Sequence, residues 1–344
     1  MGAPAMTESD PRAHVMGLIT ACWSTQALGV AARLRLFDML AQGPRAAAEL
    51  AAETRSHPGA LHRLMRALAV LGLVTQDGED LFAVTPAGRL LIEHEPGSIR
   101  GMALHWGDRL WGALSQLEQS VATGKAWSIS GAEGFEHMAR DPEQMAMFHQ
   151  SMADQTGPVA KAVLDAYDVS RFGRIIDVGG SYGALLAAML KAYPRLRGEV
   201  YDLPDLSAAA KAYLEAAGVA ERAAFIGGSF FDEVPPGADA YTMKMIIHDW
   251  QDEEAVLILR NCRKALGPGG LVLVMEHIAP DLAGEAPGDY VTIRGDIVML
   301  TAAGGMERTR GQFEALFDRA GLKLQRSSRP RRASPSWRRR PVRI

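Results

Sequence analysis

The segment that most constrains this chain is Arg174–Gly183, RIIDVGGSYG. Its apolar residues Ile175, Ile176 and Val178 predict a short buried strand, which ends at a glycine-rich turn. The Ala/Leu-rich run Ala184–Tyr193 predicts a helix directly after that turn. Glycines there would let a ligand lie against bare backbone, over a helix N-terminus and at the carboxyl end of a strand. The segment therefore predicts an α/β fold with a ligand site at this turn.

The chain after Phe172 alternates between apolar segments and helical patterns. The further predicted strands are GEVYDL, AAFIGGS, ADAYTMKMII, LVLVMEHI and LKLQR, and the last predicted helix runs from Thr309 to Ala320. Such alternation is typical of a doubly wound sheet, whose ligands bind at the carboxyl ends of the strands.

An acidic residue in the second predicted strand indicates the class of ligand. Asp202 ends GEVYDL, 25 positions after Asp177. A carboxylate at this place can accept two hydrogen bonds from ribose hydroxyls, which implies a nucleoside. A dinucleotide site would carry GxGxxG at the first turn, whereas this chain has GGSYG. The pattern therefore favours a nucleoside cofactor other than NAD.

The N-terminal part predicts helices and an interface. Residues 1–12 are small and polar, which predicts disorder. From His14 to Leu40 apolar residues recur at a spacing near 3.6 and form a wide face, with few charges before Arg33. A helix this apolar is typical of a contact between two copies of a chain.

Residues 46–92 have the pattern of a winged helix. AAAELAAET predicts a first helix, Pro58 begins a second, LVTQDGEDLFAVT predicts a hairpin, and Thr85-Pro86 begins another helix. A winged helix can bind DNA, but acidic residues are interspersed here and no basic stripe is present. The charge pattern therefore favours a protein contact over nucleic acid.

Composition fits a cytoplasmic protein of two domains. The chain has 344 residues, of which 48% are hydrophobic and 22% charged. Cys22 and Cys262 are far apart and lack the spacing of a zinc site, which favours a reducing compartment. We find neither a signal sequence nor an apolar run near the ~20 residues of a membrane span.

Three separated motifs add a possible catalytic group to this picture. KMIIHDW (Lys244–Trp250) ends one strand with His248, VLVMEHI ends another with Glu276, and GGMERT contains Glu307. With the glycine turn and Asp202, they resemble the class I S-adenosylmethionine (SAM) methyltransferases. The similarity is to the small-molecule O-methyltransferases of the caffeic acid, hydroxyindole and bacterial polyketide type, and it covers roughly residues 14–325.

The resemblance implies a fold, a cofactor and a partner. The fold is α/β, a doubly wound Rossmann-like methyltransferase domain preceded by an all-α winged-helix-like dimerisation domain. The expected boundaries are 13–100 for the dimerisation domain, 101–170 for a helical connector that lines the acceptor pocket, and 171–326 for the SAM-binding domain. The cofactor is SAM, and the N-terminal domain forms a homodimer.

The resemblance also assigns roles to residues. His248 would be the general base that removes the acceptor's proton, flanked by Glu276 and Glu307. The expected cofactor contacts are Asp177, Gly179, Gly180, Gly183, Asp202, Leu203, Ser229, Phe230, Lys244 and Trp250. This chain departs from the family at Ser181, where glycine is usual, and at Ser229, where aspartate is usual.

Aromatic and methionine residues predict a flat, apolar acceptor. A wall for such a molecule is expected from the connector and from the neighbourhood of the base. The candidate residues are Trp106, Phe148, Met152, Asp249, Asp296 and Met299. Arg308 would contact an anionic substrate or pair with Glu307.

Other reactions remain open on the same fold. Some members of the family methylate carbon, and others hydroxylate or decarboxylate their substrate. An iron-binding branch uses a His-Asp pair and a second histidine, but the segment before Glu307 supplies no histidine, so we expect no metal. A more distant alternative is a winged-helix regulator that senses a small ligand.

The last segment departs from the family. Residues 326–344 contain eight arginines and no acid, and without those arginines the net charge changes from −3 to −11. Residues 327–344 lack the apolar alternation of the family's final strand, and if this tail is genuine we expect that strand to be missing. With GC-rich codons read one base earlier, the tail becomes approximately VVPTPTGVAVVEAAP, which suggests a frameshift. Independent genomic reads with an intact SSRPRR frame would refute this hypothesis.

Overall fold

The computed structural model describes residues 10–93, 95, 97–127, 140–284, 286, 288–327 and 340–343. The described chain divides into two compact units. Residues 10–112 and 141–155 form the N-terminal unit, and the remaining residues, from 113 onward, form the C-terminal unit. The predicted connector, residues 101–170, is thus shared between the two units. Residues 1–9 of the expected disordered segment lie outside the described residues, and a helix begins at Pro11.

The N-terminal unit is mainly helical. Its helices are Pro11–Thr20, Cys22–Arg33, Leu36–Leu40, Ala47–Thr54, Pro58–Val70, Pro86–Arg89 and Arg100–Gly107. The apolar run predicted as one long helix is three helices, with a first break at Ala21. The second break lies at Arg35, which adopts a left-handed conformation with φ 56°. Leu36, Phe37 and Leu68 are fully buried in the core of this unit.

The predicted winged-helix elements are present in the N-terminal unit. β1 (Arg45–Ala46), β2 (Val74–Asp77) and β3 (Leu81–Val84) form a sheet in the order β1-β3-β2, so the helical unit includes a small sheet. β2 and β3 are the expected hairpin. The Thr85 hydroxyl accepts a hydrogen bond from Gly88 N and caps the helix that Pro86 begins, as the sequence predicted.

The C-terminal unit contains a doubly wound sheet. Its parallel strands are β4 (Arg174–Val178), β5 (Arg197–Asp202), β6 (Ala223–Gly227), β7 (Ala240–Lys244) and β8 (Leu271–Glu276). Its helices are Leu117–Thr123, Ala184–Ala192, Ser207–Ala216, Asp252–Ala265, Asp289–Val298 and Arg310–Ala320, while Arg109–Leu114 and Pro142–Ala166 cross between the units.

The strand order places the ligand crevice. The sheet runs β6-β5-β4-β7-β8 and continues with two antiparallel strands, β10 (Arg340–Arg343) and β9 (Arg326–Ser327). Ile175 and Ile176 of β4 are fully buried on opposite faces of the sheet, each within a separate hydrophobic cluster. Chain order reverses at β4, so the glycine turn after β4 lies at the switch point where α/β proteins bind ligands.

Two expectations for the C-terminal segment are wrong. LKLQR was expected to form a full strand, but only Arg326 of it belongs to one, the two-residue β9. The final antiparallel strand was expected to be missing, yet β10 pairs with β8 opposite Leu273–Glu276. Backbone pairing needs no apolar side chains, so an arginine-rich segment can occupy this edge. Residues 328–339 of the tail lie outside the described residues.

One helical run also departs from the sequence expectation. Pro11–Arg33 is 23 residues long with a mean hydropathy of 1.4, enough by length and composition to cross a membrane, although none was expected. Only 22% of its most apolar window is buried. Ile19 and Leu18 are 65% and 62% exposed, so this run presents apolar side chains outward.

Candidate active site

The glycine turn and the end of β5 meet around one carboxylate. Asp202 Oδ2 accepts a hydrogen bond from Ser181 N at 2.7 Å, and Oδ1 accepts one from Leu203 N at 2.7 Å. Each carboxylate oxygen has further lone pairs available to a hydroxyl. The structure thus brings Asp202 and Leu203 to the turn, as predicted.

The backbone of this turn is free of side chains because neighbouring atoms leave no room for a Cβ at its glycines. A Cβ on Gly179 would lie 2.5 Å from Ile246 Cδ1, and one on Gly180 would lie 2.8 Å from Asp177 Oδ2. Gly179 and Gly183 also have positive φ values, +67° and +83°, and a Cβ on Gly183 would meet Val200 at 2.7 Å. Gly183 therefore permits close packing of helix on strand, whereas the two earlier glycines leave backbone bare.

Buried polar groups lie under the turn. Asp177 Oδ1 accepts a hydrogen bond from Thr242 Oγ1 at 2.7 Å, while Oδ2 has no hydrogen-bond partner among the described residues. Burial raises the pKa of Asp177 to about 6, against the opposing effect of Thr242 and Lys244. Lys244 ends β7, next to these groups, and its charge favours ionised carboxylates here. Bare backbone, Asp202 and the Lys244 charge together fit a nucleoside that carries an amino-acid group.

An aromatic cluster borders the turn. Phe230 and Phe231 have ring centroids 5.8 and 4.7 Å from that of Trp250 in edge-to-face arrangements. Trp250 is only 3% exposed and belongs to the hydrophobic core. It was predicted to line the methionine end of the cofactor, and at this burial it would support that end from behind the surface. Ser229 Oγ accepts a hydrogen bond from Phe231 N at 3.2 Å, which fixes this loop. Its hydroxyl hydrogen remains able to donate.

The three expected catalytic side chains converge. His248 Nδ1 lies 3.0 Å from Glu307 Oε1 and 3.8 Å from Glu276 Oε2, and its Nε2 lies 3.5 Å from Asp249 Oδ1. The side chains of His248, Glu276 and Glu307 are each at most 3% exposed. With Nδ1–H donated to Glu307, Nε2 is the nitrogen that can accept a proton.

The loop that carries His248 is held by Glu276. After β7 the chain turns through Met245, which has a φ of 56°, into a 3₁₀ turn at Ile247–Asp249. Glu276 Oε1 accepts hydrogen bonds from Ile246 N at 2.9 Å and Ile247 N at 2.8 Å. The carboxylate at the end of β8 thereby fixes the start of the turn and faces the imidazole with its other oxygen.

The segment that carries Glu307 packs closely on the same turn. Met306 N donates to His248 O at 2.9 Å, and a Cβ on Gly305 would come 1.9 Å from that oxygen. Only glycine fits at position 305 for this reason. Glu307 N in turn donates to Asp296 Oδ1 at 2.8 Å, so Asp296 anchors the residue that holds the imidazole.

The carboxylates make His248 a strong base. Burial alone would lower the pKa of His248, but the charges of Glu307, Glu276 and Asp249 outweigh it and raise the pKa to about 10. Burial raises the pKa of Glu276 to about 7, against the attraction of His248. Proton affinity is thus concentrated in this buried cluster, which suits the removal of a proton from a weakly acidic hydroxyl.

The same donor set could hold a cation. His248, Glu276 and Glu307 each offer a ligand atom within 4.8 Å of the others. Glu276 Oε2 and Glu307 Oε2 are buried without a hydrogen-bond partner in the described part of the chain. A proton shared between the imidazole and the carboxylates would also offset part of the negative charge of this cluster. The expectation of no metal stays a prediction.

The predicted acceptor residues belong to both units. In the C-terminal unit, Asp249 lies beside the imidazole and Met299 begins a π-helical turn, Met299–Ala303. In the N-terminal unit, Trp106, Phe148 and Met152 are half-buried. The Phe148 ring packs edge-on against His105, with 5.7 Å between ring centroids. Their contact with a substrate stays a prediction.

Arg308 differs from both sequence expectations. It is completely buried and forms an ion pair with Asp252, with Nη2 2.8 Å from Oδ1, rather than with Glu307. Its remaining donors bind backbone carbonyls of the His248 loop. Its actual partner, Asp252, is 56 residues away in the sequence, so no local pattern predicts this role.

Comparison with known proteins identifies the family. A family model of the O-methyltransferase domain matches residues 113–323, and a model of the O-methyltransferase dimerisation domain matches residues 16–94. The chain belongs to the O-methyltransferase family. It is a SAM-dependent O-methyltransferase, and the predicted fold and cofactor are confirmed.

Individual relatives match along nearly the whole chain. The phenazine O-methyltransferase PhzM of Lysobacter antibioticus is 37% identical over 316 residues, which cover 91% of each chain. The crystal structure of LaPhzM matches with a TM-score of 0.90 and 35% identity over 97% of this chain and 99% of that one. The O-methyltransferase NcsB1 from neocarzinostatin biosynthesis, solved with SAM and 2-hydroxy-5-methyl naphthoic acid, matches with a TM-score of 0.73 and 33% identity over 93% of this chain and 95% of that one.

Proposed function

We propose that this enzyme methylates a hydroxyl group on an aromatic or polyketide-like small molecule, with His248 as the general base. The observation that carries the proposal is the buried imidazole between two carboxylates, with Nδ1 3.0 Å from Glu307 Oε1 and Nε2 3.5 Å from Asp249 Oδ1. A base placed to remove a proton favours O-methylation over the alternatives of C-methylation and hydroxylation.

The residues of the cofactor site have separate tasks. When bound, SAM supplies a methyl group on a sulfonium, which a nucleophile displaces in line. Asp202 would accept hydrogen bonds from the ribose hydroxyls, and the bare backbone at Gly179 would lie against the nucleoside. Ser229 and Phe230 border the expected adenine side. Lys244 places positive charge near the expected carboxylate of the amino-acid group.

Proton transfer is the step for which the protein must provide a group. A phenol is a weak nucleophile until its proton is removed, and a positioned base contributes roughly 10²- to 10⁴-fold to the rate. His248 Nε2 would take the proton, while Nδ1–H stays with Glu307. Glu276, at the closest 3.8 Å from Nδ1, stabilises the imidazolium that forms. Orientation of acceptor and cofactor then provides most of the remaining acceleration.

The acceptor class follows from the lining and the relatives. PhzM acts on a phenazine by name, and NcsB1 was solved with a hydroxylated naphthoic acid. Both are flat aromatic molecules. Each unit offers half-buried side chains for apolar contact with such a ring: Trp106, Phe148 and Met152 in the N-terminal unit, and Met299 in the C-terminal unit.

Binding of S-adenosylhomocysteine tests the cofactor site. We expect isothermal titration calorimetry to give micromolar-range affinity for the wild type and none for Asp202→Ala, because the ribose loses its acceptor. Asp205→Ala is the matched control, since Asp205 is exposed on the next turn. Equal affinity in Asp202→Ala and Asp205→Ala would contradict the proposed site.

We also propose that the N-terminal unit forms a homodimer through Pro11–Arg33. Val15, Leu18, Ile19 and Trp23 are between 44% and 65% exposed, and a contiguous apolar surface of this kind is unfavourable in water. The match of residues 16–94 to a dimerisation domain supports this face as the contact. Light scattering should give a dimer for the wild type and a monomer for Ile19→Asp; a dimer in both would move the interface elsewhere.

A further inference from the structure

We propose that Arg308 is a positioning residue for the methyl-transfer reaction, because it fixes the backbone turn that carries His248 against the segment that carries Glu307. The inference rests on the proposed role of His248 as base. It concerns how that base is held, rather than which group it is.

The contacts of Arg308 bracket the turn. Its Nη1 donates to Ile247 O at 3.0 Å, and its Nη2 donates to Trp250 O at 2.7 Å. These carbonyls lie immediately before His248 and immediately after Asp249. One planar group therefore ties down both ends of the 3₁₀ turn.

The third partner of Arg308 fixes the next element. Nε and Nη2 donate to Asp252 Oδ1 at 3.0 and 2.8 Å, at the start of the helix Asp252–Ala265. Arg308 O also accepts a hydrogen bond from Ala279 N at 2.9 Å, beyond the end of β8. The turn is thus held in register with β8, which supplies Glu276.

Arg308 directly follows Glu307, so the position of Arg308 affects the contact between Glu307 and His248. Residues 304–308 all contact the loop 247–252. Gln251 donates a hydrogen bond to Gly304 O, and both Gly305 and Met306 N contact His248 O. Glu307 then binds the imidazole, and Arg308 binds the carbonyls of Ile247 and Trp250. Because Arg308 and Glu307 are consecutive, a shift of the turn relative to Arg308 also changes the separation of Nδ1 and Oε1.

Lysine cannot replace this arginine. A guanidinium presents donors in a fixed fork, while an ammonium is a single point that can be hydrated or can reach one or two acceptors. Because position 308 is fully buried, a lysine there would leave a carbonyl of Ile247 or Trp250 without its hydrogen bond, which is unfavourable. Arg308→Lys keeps the charge and removes the geometry, so it isolates the positioning role.

The experiment compares Arg308→Lys with Arg310→Lys. Arg310 is two residues away, 58% exposed, and paired with the exposed Glu314, so its replacement is a matched control. We expect Arg308→Lys to lower kcat for a phenolic acceptor by about 10- to 100-fold, since displacement of a catalytic group by about 1 Å has that effect. The affinity for S-adenosylhomocysteine should remain that of the wild type, as should all values for Arg310→Lys.

A readout independent of activity separates this inference from the proposed function. In ¹⁵N-histidine NMR, Arg308→Lys should lower the pKa of His248 relative to the wild type, because the contact with Glu307 loosens. An unchanged His248 titration together with a kcat like that of Arg310→Lys would overturn the inference. A parallel loss of kcat and cofactor affinity would indicate a general loss of folding, and Asp252→Asn then decides the question.

Two results keep the inference and the proposed function apart. Should Arg308→Lys fail to fold, Asp252→Asn weakens the ion pair of Arg308 at a side chain that is 53% exposed. This variant should lower the pKa of His248 as well. An unchanged pKa in Asp252→Asn would reject the positioning role of Arg308. Full activity of a His248→Ala variant would reject the base role, while the titration of His248 in Arg308→Lys would still test the positioning.

Discussion

The Nδ1 atom of His248 lies 3.0 Å from Glu307 Oε1, although 59 residues separate the two in sequence. The first residue follows β7, and the second precedes the helix Arg310–Ala320. Their contact is possible because Gly305 allows the two backbones to meet, with Met306 N bound to His248 O. The orientation of the proposed base is therefore a property of the paired loops.

Glu307→Gln should change the pH dependence of methyl transfer. His248 must be unprotonated to accept a proton, and its raised pKa of about 10 predicts that kcat/KM increases with pH above 7. Removing the negative charge of Glu307 lowers the pKa of His248, so the increase should occur at lower pH. Rates measured from pH 6 to 10 provide the check.

The control for this profile is Glu314→Gln. Glu314 is 44% exposed and pairs with Arg310 outside the site, so its profile should match the wild type. A Glu307→Gln profile with the wild-type inflection would mean that Glu307 does not set the proton affinity of the base.

Ser181→Gly should stabilise the protein. Ser181 has a φ of 55°, a left-handed conformation that an L side chain disfavours and glycine adopts freely. After the added flexibility of the unfolded chain is subtracted, we expect a gain in the free energy of unfolding of about 0.5–1 kcal/mol. Ser207→Gly, at a residue with a φ of −53°, should instead destabilise. Equal losses in both variants, measured in urea, would contradict this account of the turn.

Metal removal should leave activity unchanged. A proton on His248 offsets part of the negative charge of Glu276 and Glu307 without an ion, and the proposed mechanism needs no Lewis acid. Methyl-transfer rates after dialysis against EDTA should equal those before it. A loss that Zn²⁺, Fe²⁺ or Mg²⁺ restores would identify the cluster of these residues as a metal site.

Much of this fold could be predicted from the sequence because apolar periodicity is local. The segments that became β4, β5, β7 and β8 are recognisable from their apolar residues alone. Parallel strands end at one edge of a sheet, and so the meeting of His248 with Glu276 follows from topology. Glu307 was placed by resemblance, since it follows a helix and a π-helical turn rather than a strand.

Other features depend on contacts that carry no local pattern. The partners of Arg308 are mostly backbone carbonyls, which every residue possesses. The break between helices at Arg35 requires a left-handed backbone conformation, which an arginine side chain does not favour and therefore does not predict. The pairing of β10 with β8 uses backbone groups, so an arginine-rich composition concealed it.

The most direct test of the central claim is methyl transfer by His248→Ala. With labelled SAM and a hydroxylated naphthoic acid or phenazine as acceptor, we expect kcat to fall by roughly 10²- to 10⁴-fold. The affinity for S-adenosylhomocysteine should stay that of the wild type, because His248 binds Glu307 and not the glycine turn. A variant that binds the cofactor product and retains the wild-type kcat would contradict a base role for His248.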